Sequence, residues 1–117
     1  MKKERISDEL LALMADKFRM LSNPTRLAIL RAFTHSGELT VSEVVTLTGQ
    51  SVANISKHLK QLAAAGLLAR RKDGSFVKYK LDDPVVEKIC ELVCHSLKRD
   101  LAEQLRRVGR ALGSRRN

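Results

Sequence analysis

A chain of 117 residues can bury one core but not two, so the expectation is a single module that carries the whole function. Lysine and arginine number 22 against 13 aspartates and glutamates, a net charge of +9, which is the footprint of a polyanion binder and makes nucleic acid the first partner to consider. No uninterrupted apolar run approaches the roughly 18 residues of a membrane span, and the charged start Met1-Lys2-Lys3-Glu4-Arg5 leads into no signal-peptide core, so a cytoplasmic protein without a membrane partner is expected.

Aromatic residues make up 3% and tryptophan is absent, so the core must be aliphatic, which suits packed helices. Residues 8–21 space Leu10, Leu11, Met14, Phe18 and Leu21 at threes and fours, predicting a first amphipathic helix with Asp8 as its cap. Ser22-Asn23-Pro24-Thr25 supplies a cap and a first-turn proline for a second helix, whose apolar face runs through Leu27, Leu30 and Phe33 until Gly37. Thr40 and Glu43 have capping-box spacing, and Val41, Val44, Val45 and Leu47 make a third helix of about two turns, closed by Gly49. The fourth starts at Gln50-Ser51, turns Val52, Ile55, Leu59 and Leu62 inward and stops at Gly66. Two helices joined by a glycine-containing turn form the helix-turn-helix pattern.

Residues 67–72 and 76–81 flank Asp73-Gly74, a strong hairpin signal, with Val77, Tyr79 and Leu81 alternating against Lys78 and Lys80. After Asp83-Pro84 a fifth helix carries Val86, Ile89, Val93, Leu97, Leu101, Leu105, Val108 and Leu112 at helical spacing over about 45 Å, more apolar stripe than one small domain can cover. The expected fold is therefore mostly α with a small β-hairpin: a winged helix-turn-helix of five helices plus a wing. It forms one domain over 1–117, with a core of about 8–112 and a basic tail at 113–117.

The chemistry of these elements points to duplex DNA. On the fourth helix the apolar residues leave Gln50, Ser51, Asn54, Ser56, Lys57 and Lys60 for another surface. Amide side chains can pair bidentately with adenine, Ser and backbone N–H groups bind phosphate, and Lys supplies a salt-dependent attraction. A solvated polar face would look the same in isolation. The hairpin then adds Arg70, Arg71, Lys72, Lys78 and Lys80, a cation density that suits phosphate or the minor groove, although lysines also protect edge strands from aggregation. Turn, helix and wing agree in sign and adjacency.

Three motifs in order, Asn23-Pro24-Thr25-Arg26-Leu27-Ala28-Ile29-Leu30, Ser51-Val52-Ala53-Asn54-Ile55-Ser56-Lys57-His58-Leu59-Lys60-Gln61-Leu62, and Gly66-Leu67-Leu68 with the Asp73-Gly74 wing and Tyr79-Lys80-Leu81, resemble the ArsR-type (arsenic-repressor, metal-sensor) winged-helix regulators over about residues 12–97. The resemblance implies a homodimer through the first and last helices, two recognition helices in successive major grooves of operator DNA, and repression relieved by an inducer. It places Gln50, Ser51, Asn54, Ser56 and His58 at recognition-helix positions, with His58 open to a packing role as well. Where many members carry a Cys-x-Cys pair this chain has Thr40-Val41-Ser42, so that metal site is absent. The other common zinc site is poorly matched by Asp82 or Asp83 and His95. The usual wing-tip Arg is Ser75, leaving Arg71 or Lys72 to serve.

Cys90, Cys94 and His95 remain as candidate ligands on the last helix. Two cysteines are too few for a disulfide framework, but one turn apart their thiolates could hold trivalent arsenic or antimony, or zinc, or be oxidised or persulfidated; equally, both could be small buried hydrophobes with no cofactor at all. The expected function is a sequence-specific, homodimeric repressor released from its operator by an inducer sensed at Cys90 and Cys94. The alternative is a ligand-independent winged-helix regulator or architectural DNA-binding protein with structural cysteines. No nucleophile–base pair, phosphate loop or metal-hydrolase spacing argues for an enzyme.

Overall fold

The computed structural model describes residues 5–114; Arg115, Arg116 and Asn117 of the expected basic tail lie outside the described residues. The chain forms two compact units, one up to Asp83 and one from Pro84 onward. The first contains α1 (Asp8–Leu21), α2 (Pro24–Ser36), β1 (Leu39–Thr40), α3 (Val41–Thr48), α4 (Val52–Ala64), β2 (Leu68–Asp73) and β3 (Phe76–Leu81), and the second is the single helix α5 (Pro84–Ser114). Five helices and a hairpin therefore appear as expected. No helix among the described residues is long and apolar enough to cross a membrane.

Local chemistry explains the boundaries. Asn23 caps α2 by accepting from the Thr25 and Arg26 N–H groups at 2.8 and 3.2 Å, and Pro24 fills a first-turn position where no donor is missed. The Thr40 box closes in both directions: the Glu43 N–H donates to Thr40 Oγ1 at 3.2 Å and the Thr40 N–H donates to Glu43 Oε1 at 3.1 Å. Gly49, in the left-handed region at φ 71°, lets the chain leave α3 and turn directly into α4. The cap of α1 is Ser7 rather than Asp8; its hydroxyl accepts from the Leu10 N–H, and Asp8 instead opens the first turn, where its charge favours the positive end of the helix.

The first unit's core gathers Ile29, Leu30, Phe33, Val44, Ile55, Leu59, Leu62, Leu67, Leu68 and Tyr79, all essentially excluded from solvent. On the expected apolar faces of α2, α3 and α4, three positions are exposed instead, among them Leu47 of α3, 55% exposed. Leu27 stands partly exposed on α2, and Val52, at the first helical position of α4, is 59% exposed. The inward stripe of α4 begins one turn later, at Ile55.

The sheet has three strands in the order β1-β3-β2, all antiparallel, with Leu39 opposite Tyr79 and Leu68 opposite Leu81. β1 was not expected. At two residues it is too short to show an alternation, and Thr40 reads from sequence as a cap. In the hairpin Asp73 pairs with Phe76, so the two turn residues are Gly74 and Ser75, one position later than expected. Only Gly74 has positive φ, 61°, which fits a II′ turn with glycine at its first central position.

Helix α5 has 31 residues, about 46 Å at 1.5 Å per residue. Val86 is buried near its start, but Val93, Leu97, Leu101, Leu105, Val108 and Leu112 are 52–65% exposed. On α1, Leu10, Leu11, Met14 and Phe18 likewise face solvent, and only Leu21 is buried.

Candidate nucleic-acid interface

The N-terminus of α4 is built from its own sequence. Ser51 caps it, its hydroxyl accepting from the Asn54 N–H at 3.1 Å, while the Asn54 side-chain amide donates to Gln50 Oε1 at 3.2 Å. Gln50 and Ser51 are exposed and Asn54 is half-buried, so the Gln50–Asn54 amide pair stands at the head of the helix, where N–H groups point outward and the dipole favours anions. Ala53, Lys57, Lys60 and Ala64 recur at fours and threes along the exposed side opposite Ile55 and Leu59. Among the described residues neither Lys57 nor Lys60 forms an ion pair. Ser56 is half-buried beside this strip.

His58 is not on that strip, and this corrects its placement among the DNA-facing residues. It is buried, and its Nδ1 accepts from Arg26 Nε at 3.3 Å. An accepting Nδ1 fixes the neutral tautomer with the proton on Nε2. Burial, and then the neighbouring Arg26 and Lys57 charges, hold its pKa below the ordinary histidine value. Arg26 also donates through Nη2 to Gln61 Oε1 at 2.7 Å and reaches Met20 Sδ at 3.6 Å. One guanidinium from α2 thus fixes two successive turns of α4. Sequence reasoning missed this role, although a signal was present: a cation in the first turn of a helix opposes the helix dipole and calls for another partner.

On the wing, cross-strand partners share a face, so the register divides the cations. Arg70 lies opposite the buried Tyr79 and Lys72 opposite Val77, placing both on the core-facing side of the hairpin, outboard of Leu68. Arg71 lies opposite Lys78 on the other side. There Arg71 donates to both oxygens of Glu38, Nε to Oε1 at 3.1 Å and Nη2 to Oε2 at 2.7 Å, and Lys78 approaches Asp73 at 3.4 Å. The Arg71 guanidinium beside it holds the Glu38 carboxyl below the usual carboxylate range. Of the expected wing cations, Arg71 and Lys78 therefore already hold carboxylates, while Arg70 and Lys72 are exposed and unpaired among the described residues.

Residues 21–71 match the model of a helix-turn-helix domain. The chain is 33% identical over 78 residues to an arsenic resistance transcriptional regulator of Pseudomonas putida, covering 67% of this chain and 68% of that protein. It belongs to the ArsR family of winged helix-turn-helix regulators. A homologue of the cadmium resistance transcriptional regulatory protein from Staphylococcus aureus is 37% identical over 78 residues, 67% of this chain; the match spans 64% of that relative's length. The crystal structure of an antimony-specific transcriptional repressor superposes with a TM-score of 0.77 at 28% identity, covering 89% of this chain and 92% of that one. These relatives are transcription regulators rather than enzymes, in line with the sequence.

The candidate inducer ligands of this ArsR-family chain are less well gathered. Cys90 is half-buried and Cys94 exposed, about 40° apart around α5 and inside its apolar arc. His95 is about 140° round from Cys90 and so points away from the pair. Among the described residues no group of three or more His, Cys, Asp and Glu is positioned to hold a metal ion. Burial, and then the neighbouring Cys94, push the Cys90 thiol up from its ordinary value, which keeps its proton on at neutral pH.

Proposed function

We propose that the chain is a homodimeric, sequence-specific DNA-binding repressor that reads a duplex with α4 and flanks it with the wing. The observation that carries this reading is the concentration, in one unit, of the Gln50–Asn54 amide pair at the head of α4, a Lys57–Lys60 strip along it and the Arg70–Lys72 pair on the core-facing side of the wing, all four cations unpaired among the described residues. Gln50 and Asn54 supply base-reading amides, Ser51 and Ser56 short hydroxyls, and the four cations the phosphate contacts. The exposed stripes of α1 and α5 are the surfaces a second copy would cover. Two copies would present two α4 helices to successive grooves about 34 Å apart.

Selection of bound duplexes from random oligonucleotides tests the proposal. An inverted repeat is expected; weak preference without symmetry would favour the architectural alternative.

For the inducer, Cys90 and Cys94 support a trivalent arsenic or antimony species better than zinc. A neutral oxyacid of the type As(OH)3 condenses with two protonated thiols, forming two As–S bonds and releasing two waters, with no change of oxidation state and no thiolate needed beforehand. Zinc requires deprotonated ligands and commonly four of them, and the described residues of one chain gather no group of even three. Operator binding measured by anisotropy with arsenite, antimonite, zinc and a persulfide donor decides between these. Release by the trivalent oxyacids that disappears in Cys90→Ser and Cys94→Ser is expected, and a full response in both variants would remove the thiols from the mechanism.

A further inference from the structure

The wing carries Arg70, Arg71, Lys72, Lys78 and Lys80 within two short strands, and a simple count of charge would enrol them all in DNA binding. The sheet separates them. Glu38 precedes β1, whose Leu39 and Thr40 pair with Tyr79 and Lys78 on the central strand β3; Arg71 lies on β2, beyond β3. The bidentate contact at 3.1 and 2.7 Å therefore crosses over β3 and ties the two outer strands together. Fork-to-carboxylate pairing fixes a guanidinium in direction as well as position. Asp73 adds a second carboxylate to the same side, 3.8 Å from Arg71 and 3.4 Å from Lys78. That face thus holds three cations, Arg71, Lys78 and Lys80, against two anions, whereas Arg70 and Lys72, on the face shared with Tyr79, have no carboxylate within ion-pair distance among the described residues.

We infer that Glu38 withholds Arg71 from DNA, so that Arg70 and Lys72 carry the wing's contact with the duplex and Glu38 sets the strength of that contact. Glu38 is a positioning residue: it touches no nucleic acid and acts through the side chain it holds. The inference rests on the duplex-binding reading and refines it, because it divides the three β2 cations into two, Arg70 and Lys72, that count toward phosphate neutralisation and one, Arg71, that becomes available only when its carboxylate partner is removed.

The salt dependence of binding measures that count. Each phosphate contact contributes about 0.9 to the slope of log K against log salt, so gaining or losing one changes the affinity ratio between 50 and 200 mM salt by about threefold. With the full chain and its selected operator duplex, Arg70→Gln and Lys72→Gln should each flatten the slope by about 0.9. Arg71→Gln should leave it unchanged, and Glu38→Gln should steepen it by about 0.9 and tighten binding at low salt. The double variant Glu38→Gln/Arg71→Gln removes the pair whole and should return the wild-type slope. If Arg71→Gln flattens the slope as much as Arg70→Gln, or Glu38→Gln leaves it unmoved, the inference is wrong. Should loss of the pair loosen the wing instead, Glu38→Gln and the double variant would both fall below the wild-type slope, which also overturns it. A wild-type chain with no salt-dependent duplex binding would sink the repressor reading itself and this inference with it.

Discussion

Replacing Arg26 by methionine tests how the reading helix is held. The variant keeps an unbranched apolar stem but loses the whole guanidinium, both its donors toward α4 and its 3.6 Å contact with Met20 Sδ. The 2.7 Å bond to Gln61 is charge-assisted and contributes about 1.5–3 kcal/mol, while the 3.3 Å bond to His58 is longer and weaker. Its loss nevertheless leaves the Nδ1 of a buried imidazole without a donor, a penalty of about 1 kcal/mol or more. Gln61, half-buried, recovers part of its hydrogen bonding from water, so the combined cost is about 2–3 kcal/mol. At about 4 °C per kcal/mol, Tm should fall by about 10 °C in a circular dichroism melt at pH 7.5 and fixed protein concentration. Because Arg26 is engaged with α4, operator affinity at 25 °C should weaken while the salt slope stays put. A drop in Tm below about 4 °C, or a slope flattened as if a phosphate contact had gone, would refute the assigned role.

Acidification should destabilise the chain through His58. The unfolded chain takes up its proton near 6.5 and the folded chain only at a lower pH, so stability should decline as pH falls from 6.5 to the folded value and then level off; urea midpoints at pH 7.5 and 5.0 should differ by less in His58→Gln than in wild type. Leu101→Lys combined with Leu105→Lys puts charge into the exposed stripe of α5 and should give monomers by analytical ultracentrifugation with helix content retained; a persistent dimer would remove that stripe from the subunit contact. Ser51→Ala deletes the cap of α4 and should cost about 1 kcal/mol in urea unfolding, since the Asn54 N–H loses its acceptor.

What the sequence disclosed was whatever short-range chemistry controls. The Asn23-Pro24 start, the Thr40–Glu43 box, the Gly49 exit and the hairpin all depend on residues within four positions of one another, and each stands in the structure where its chemistry places it or within a residue of it. Errors arose where a periodic pattern had to be read at its end. Val52 fits the apolar stripe of α4 but occupies the first helical position, ahead of the core. His58 is compatible with both faces in sequence, and the contact that turns it inward comes from Arg26, 32 residues earlier. The Glu38–Arg71 pair spans 33 residues and crosses a strand whose partner β1 is only two residues long, so no local pattern could announce it. The thiols were legible as a pair one turn apart; His95 joined them by proximity in sequence, which on a helix sets residues about 100° apart rather than together.

Both elements of the proposed reading surface are fixed by an arginine bonded to a residue more than 30 positions away, Arg26 to α4 and Arg71 across the sheet. That restricts how an inducer could act. A helix held at two successive turns and a wing riveted across its central strand resist local melting, whereas Cys90 and Cys94 lie on a different unit, in the apolar arc that a second copy would cover. Ligation of those thiols would therefore release DNA by changing the spacing of two intact reading heads, the rigid-body class of switch, rather than by unfolding either one. Amide exchange separates the two routes: with arsenite bound, protection in α4 and β2 should stay at its ligand-free level while operator affinity falls. Loss of protection in α4 would point instead to local unfolding of the head.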